Sequence, residues 1–292
     1  MARGIARLRQ GSPYRVEFTT PIISVCLAAE AFRSTEILDV VFSNSAGDYA
    51  DNIGLTAALR RETPDPTTSY QLGRTYSPLE GLWTHAHTEI CNDRIGRVLR
   101  QALTPVQYTN VGAEITRIIG ELHDNVPSHA QGRGFSAAQV FGGARPKPVV
   151  RFAIADNGIG LRRNASKVEP TIDDRGAVEW AFKRGTTSWR APDEWGVQRG
   201  LGGDEFGAGN APDDHHAGEG LADLADLVER AGGAVWVASG SAQMLYSDGT
   251  WKEAPQDGFA WPGVAIELEL PLDAKPRPSK LRIPSGLADL LG

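Results

Sequence analysis

Apolar residues recur along the chain at two spacings, and these divide it into helices and strands. In residues 79–103, Ile90, Ile95, Val98, Leu99 and Leu103 form one helical stripe, which Thr104-Pro105 ends. In 111–130, Ile115, Ile118, Ile119, Leu122 and Val126 form another, with Pro127 near its end. Leu221, Leu224, Leu227 and Val228 predict a third helix, closed by Gly232-Gly233, since glycine suits the position after a helix. The alanine-rich 22–32 favours helix, as do the shorter 49–60 and 176–183. Strands are predicted at 16–18, 37–42, 149–155, 234–238 and 264–270, the last alternating strictly. Residues 43–48 read as a turn cluster, and Asp248-Gly249 as a hairpin turn. The polar, proline-bearing 62–78 reads as a linker. Residues 185–217 show no period and many glycines, the pattern of a functional loop or of disorder.

Composition narrows the class. The 292 residues are 41% apolar and 23% charged, a globular balance with enough length for a sizeable core. The formal net charge of −6 argues against a dedicated nucleic-acid binder. Cys26 and Cys91 make no disulfide framework or metal spacing and read as reduced thiols. No apolar run reaches membrane-spanning length, and no signal-peptide core follows Arg3, Arg7 and Arg9, so a cytoplasmic location is expected.

Three separated pieces carry candidate chemistry. In Glu121-Leu122-His123-Asp124-Asn125, Glu121 and Asn125 stand four apart on one helix face. A carboxylate and an amide oxygen so placed can serve Mg²⁺ and an attacking water. Asp156-Asn157-Gly158-Ile159-Gly160 follows a strand directly, where ligands commonly bind in α/β folds. Asp156 can accept a hydrogen bond from an exocyclic amine, and Gly158 and Gly160 allow close approach of a flat ring. Gly218-Glu219-Gly220-Leu221 opens a helix, where free N–H groups favour phosphate. Each piece alone also fits an ordinary feature: a solvated helix face, a strand-exit turn, a plain helix start. No GxxxxGK[ST] loop competes for a nucleotide. Asp213-Asp214-His215-His216 is not read as a metal site, because adjacent residues rarely converge on one ion.

Together the three pieces resemble the GHKL superfamily, the histidine kinase-like ATPases of the Bergerat fold, over about 111–271. Ala177, Ala181, Gly185-Thr186-Thr187, Gly263 and Leu270-Pro271 support the match. The resemblance implies an α/β sandwich with helices on one face of a mixed sheet, binding ATP and Mg²⁺. It implies Glu121 as general base or water-polarising carboxylate, Asn125 as Mg²⁺ ligand, and Asp156 on the adenine amine. Gly158 and Gly160 would line the base pocket. Thr186, Gly218, Gly220 and Leu221 would complete the nucleotide-binding set, and 185–217 would be the ATP lid. Ala217 and Glu219 depart from the fullest glycine pattern of the family. The absence of a catalytic lysine on a late strand steers away from the gyrase and mismatch-repair branches.

The amino-terminal strand–helix–strand–helix order resembles a STAS-type module. The expected organisation is therefore a STAS-like unit at 1–65, a connecting helical segment at 66–108, the ATP-binding domain at 109–272 and a tail at 273–292. The implied function is a Mg²⁺-dependent ATPase or phosphoryl-transfer module in a regulatory system. A non-catalytic ATP-gated switch, or a protein kinase of the anti-sigma-factor type, stands as the alternative. Partners would be ATP and another protein, with no nucleic acid or membrane, and with homodimerisation left open. His85 and His87 lack the downstream proline expected of a phospho-acceptor helix.

Overall fold

Strands β5 (Val149–Asp156) and β9 (Trp261–Pro271) lie side by side at the centre of a seven-stranded sheet. The computed structural model describes residues 1–64, 66, 72–104, 111–141, 149–186, 220–254 and 259–271. The other strands are β3 (Glu80–Leu82), β4 (Gly134–Phe141), β6 (Ala234–Gly240), β7 (Ala242–Ser247) and β8 (Thr250–Glu253), in the order β3-β4-β5-β9-β6-β7-β8.

All the neighbouring pairs are antiparallel, which corrects the expected mixed sheet. The reason lies in the connections. A helical crossover joins β5 to β6, but β9 enters between them, antiparallel to both. Among the described residues, parallel strands pair in a separate two-stranded sheet of β1 (Tyr14–Val16) and β2 (Val40–Phe42), and an isolated parallel bridge joins Leu72 and Tyr76.

Helices cover both faces of the large sheet: those of residues 109–272 lie on one, and those of the amino-terminal 1–65 lie on the other. On one face lie α5 (His85–Ala102), α6 (Ala113–Asn125), α8 (Asp174–Ala181) and α9 (Gly220–Ala231), with the short α7 (Gly160–Ala165) at the strand ends. Their apolar stripes, including Ile95, Leu99, Ile118, Leu122, Leu224 and Val228, meet Val150, Phe152 and Ile154 of β5 and Ile266, Leu268 and Leu270 of β9. On the other face α2 (Pro21–Arg33) packs against β4, β5 and β9. There the sheet shows mainly alanines, Ala137, Ala153, Ala155, Ala238 and Ala265, alongside Phe135 and Trp261. Period-two alternation along β5 and β9 separates the two sets of side chains. The helices α1 (Ala2–Arg9), α3 (Asn44–Ile53) and α4 (Leu55–Leu59) complete this second layer.

Several boundaries differ from the expected ones. The 79–103 helix starts at His85, capped by Thr84, because residues 80–82 pair with β4 instead. Past Asn125 the 111–130 helix widens into a π-helical turn, Val126–Ala130, which contains Pro127 with no N–H to donate. The 43–48 segment begins α3, and Gly54, left-handed at φ 83°, parts α3 from α4. The 37–42 strand is pared to its last three residues, and Ile37 is 75% exposed. Both cysteines are buried free thiols. No described helix is long and apolar enough to cross a membrane. The tail at 273–292 and most of the 185–217 segment lie outside the described residues.

Candidate functional site

Helix α6 places the first group. Its buried stripe turns Ile115, Ile118, Ile119 and Leu122 to the core, leaving Arg117, Glu121 and Asn125 at successive i+4 positions on another face. Helix α9 runs antiparallel beside it: Arg230 bonds Glu114, Arg117 bonds Asp223, and Gly220 abuts Glu121. A methyl at Gly220 would collide with the Glu121 carboxylate, which would have to swing from its present position.

An ion-pair chain runs across this junction. Arg117 donates to Glu121 Oε1 through Nη1 and to Asp223 Oδ2 through Nη2, the latter at 2.6 Å. Arg184, two residues before Thr186, donates to Asp223 Oδ1 at 2.6 Å and Asp226 Oδ2 at 2.8 Å. Burial alone would raise the Asp223 pKa, but its hydrogen bonds from Arg117 and Arg184 outweigh burial and hold it below the ordinary carboxylate range.

The second group sits where β5 ends. Asp156 is only 5% exposed. Its Oδ1 accepts from the Gly158 N–H at 2.8 Å and its Oδ2 from the Val264 N–H at 3.2 Å. Its backbone carbonyl accepts from the Trp261 indole at 2.9 Å. Burial pushes its pKa up to about 6, against the lowering effect of the two backbone donors. Gly263 lies flat against this carboxylate, and a methyl there would strike it.

The close approaches of Gly158 and Gly160 are to the chain's own backbone. A methyl at Gly158 would collide with the Ala130 carbonyl, and one at Gly160, where φ is +71°, would press on the Pro262 carbonyl. Asn157 fastens the loop on two sides. Its Oδ1 accepts from the Arg133 N–H at 2.9 Å, and its Nδ2 donates to the Ala29 carbonyl of α2 at 3.1 Å. The Ile159 N–H donates to Ala130 O at 2.9 Å. The loop after Asp156 is thus bonded to the segment that leaves the Glu121 helix.

The first and third motifs, far apart in sequence, therefore touch, and the second lies against the segment that follows the first. Glu121 touches Gly220, and the Asp156 loop docks on residues 130–133. Asn125 is exposed at the last position of α6. Leu221 packs partly buried against the main core. The Thr186 hydroxyl is shared between the Trp180 and Lys183 carbonyls, at 2.8 and 2.7 Å, and so closes the end of α8. Gly218, Ala217, Glu219 and Thr187 fall outside the described residues, as does the lid beyond Thr186.

The neighbours of Glu121 face elsewhere. His123 is fully buried against Phe152, its pKa lowered to about 3 by burial. Its Nδ1 lies 2.6 Å from Asn92 Oδ1 and donates to it, since that oxygen can only accept. Asp124 accepts from Thr88 at 2.6 Å, beside His85. No group of three or more His, Cys, Asp or Glu side chains is arranged to hold a metal among the described residues. The donor set of Asn125 with Glu121 instead suits an ion that arrives with phosphates and keeps its waters.

Arg117, Arg184, Asp223, Asn157 and the Val264 amide escaped the sequence reading. Arg117 had a signal: it stands four residues before Glu121, on the same face. No protein-family model, curated protein or solved structure matches the chain.

Proposed function

We propose that the chain is a GHKL-type, Bergerat-fold ATP-binding module that uses Mg²⁺, with the amino-terminal β1–α2–β2 unit as a STAS-like accessory. The observation that supports this reading is the contact of Glu121 with Gly220, together with the docking of the Asp156 loop on residues 130–133, which follow the Glu121 helix. The adenine end would be Asp156, whose ionised carboxylate accepts from the exocyclic amine. The phosphate end would lie at the start of α9, where backbone N–H groups and the helix dipole favour anions. Asn125 would hold Mg²⁺, which when bound neutralises phosphate charge. Glu121 would orient and polarise the attacking water. The protein would act in a regulatory system with a protein partner.

Titration calorimetry with ATP and Mg²⁺ tests the reading. Asp156→Asn should weaken ATP at least tenfold with the fold intact, because a hydrogen bond to a charged group contributes about 1.5–3 kcal/mol. GTP should bind poorly, since guanine presents a carbonyl where the amine is needed. ATP affinity should also fall as pH drops through about 6, where Asp156 takes up a proton. Unchanged ATP affinity in Asp156→Asn would remove the adenine assignment.

One observation favours a second reading, a non-catalytic switch. Glu121 Oε1 is bonded to the Arg117 guanidinium, which makes it a weaker base. Phosphate release separates the two. In an ATPase, Glu121→Gln should lower turnover about 10²–10⁴-fold while nucleotide still binds. A parent protein that binds ATP tightly without turnover is the switch.

A further inference from the structure

The start of α9 is a difficult place for a polyanion. Glu121 lies against Gly220, and Asp223 stands in the first turn. Two arginines offset these carboxylates, and both reach the same residue. Asp223 presents one oxygen to Arg117 and the other to Arg184, each at 2.6 Å. With its side chain only 15% exposed, Asp223 is a fixed post between them. The arginines themselves are 45% and 54% exposed. Among the described residues, Arg184 donates through Nη2 alone, and Arg117 leaves Nε unused. The second anchor of Arg184, Asp226, is 61% exposed, so that pair contributes little and exchanges readily.

The Glu30 node makes a contrast. There Arg9 donates to both Glu30 oxygens and to the Ala260 carbonyl, and its guanidinium also lies over Phe259 and Trp261. Those donors are consumed by the fold. At Asp223 the two arginines keep unused donors and are about half exposed, beside the helix start where phosphates would lie. Guanidinium forks match phosphate oxygens in geometry and charge.

We propose that Arg117 and Arg184 recognise the terminal phosphates of the bound nucleotide, with Asp223 holding the two guanidiniums side by side for that purpose. The proposal rests on the ATP-binding reading and adds to it the residues that tell a triphosphate from shorter forms. Arg117 comes from the Glu121 helix and Arg184 from the chain entering the glycine-rich segment. A triphosphate held by both would tie these elements together, whereas adenosine would touch neither.

The test is calorimetry on the full chain with Mg²⁺ and four probes: adenosine, ADP, ATP and inorganic tripolyphosphate. Arg117→Gln and Arg184→Gln should each weaken ATP and tripolyphosphate at least tenfold, weaken ADP less, and leave adenosine unchanged. Arg117→Lys, which keeps the charge without the fork, should recover part of the loss. Arg175→Gln, which removes the exposed pairs with Glu179 and Glu253, should change nothing. Equal losses for adenosine and ATP, or no loss for ATP, would overturn the proposal. A parent that ignores adenosine and ATP but binds tripolyphosphate through these arginines would overturn the nucleotide reading and keep the anion site. A parent that binds none of the probes overturns both. Thermal melts accompany each variant, and if Arg117→Gln does not fold, Arg184→Gln carries the same test.

Discussion

The two faces of the large sheet are packed by different means. One meets amphipathic helices through large branched and aromatic side chains, with Phe152, Leu268 and Leu270 fully or nearly fully buried. The other meets a single close-lying helix through alanines, and α2 is buried on nearly all sides, from Pro21 to Ala31. Bulk keeps helix and sheet apart and fills the space between. Small residues bring the backbones together. The difference matters for the candidate site, because the close-packed face brings a second helix carbonyl, Ala29 O, within bonding reach of the Asp156 loop, which Ala130 O reaches from the other face.

The sharpest way to break this comparison is to remove bulk from the first face. Phe152→Ala should cost about 3–5 kcal/mol in urea unfolding, the usual toll of a large cavity. A cost under 1 kcal/mol would mean that face is not tightly packed.

The junction between the faces should respond to pH nearly as strongly. The folded pKa of Asp156 is raised from 3.8 to about 6, so the folded state holds that proton more tightly. Its contribution is present in full below about pH 4 and is lost as pH rises through 6. The shift corresponds to about 3 kcal/mol. Denaturation curves of the parent and Asp156→Asn, taken from pH 4 to 7, should diverge by that order, the parent losing more.

Adding bulk to the second face should cost less. Ala153→Leu would force α2 away from β5 at about 1–3 kcal/mol, the range for overpacking. A neutral outcome would show slack beneath α2. Asn157→Ala removes the bonds to Ala29 O and Arg133 N, at about 1–2 kcal/mol, and on the proposed reading should also weaken ATP by loosening the loop. The smallest effect belongs to the outer surface. Arg97→Ala breaks an exposed pair with Asp93, and its cost should stay within about 0.5 kcal/mol.

How well the sequence could be read follows from the same contrast. The α5, α6 and α9 stripes show plainly, because each helix has a wet side against which its apolar side stands out. Strand β4 did not, since Phe135, Ser136, Ala137 and Ala138 are buried on both faces and give no alternation. Strand β3 is three residues long and was absorbed into a helix pattern. In α1, Ile5 and Leu8 are outnumbered by Arg3, Arg7 and Arg9, so its buried side was inconspicuous. At the candidate site, Glu121, Asp156 and Gly220 were legible as local motifs. The Val264 donor to Asp156 was not, because it lies 108 residues away and depends on β9 entering beside β5. Arg184 was equally hidden, since its partners are on a helix that the intervening segment separates from it.

The indole of Trp261 turns the Asp156 corner into something that can be watched. It is one of seven tryptophans, it is 1% exposed, and its N–H donates to the Asp156 carbonyl at 2.9 Å. Three residues further along β9, the Val264 amide grips the carboxylate of the same aspartate. Residues 261–264 and Asp156 thus form one mechanical unit. In a nitrogen-15-labelled sample the Trp261 indole resonance should exchange slowly with deuterium. It should also change frequency as Asp156 gains its proton near pH 6, giving a single spectral line that follows the end of β5 without any added label.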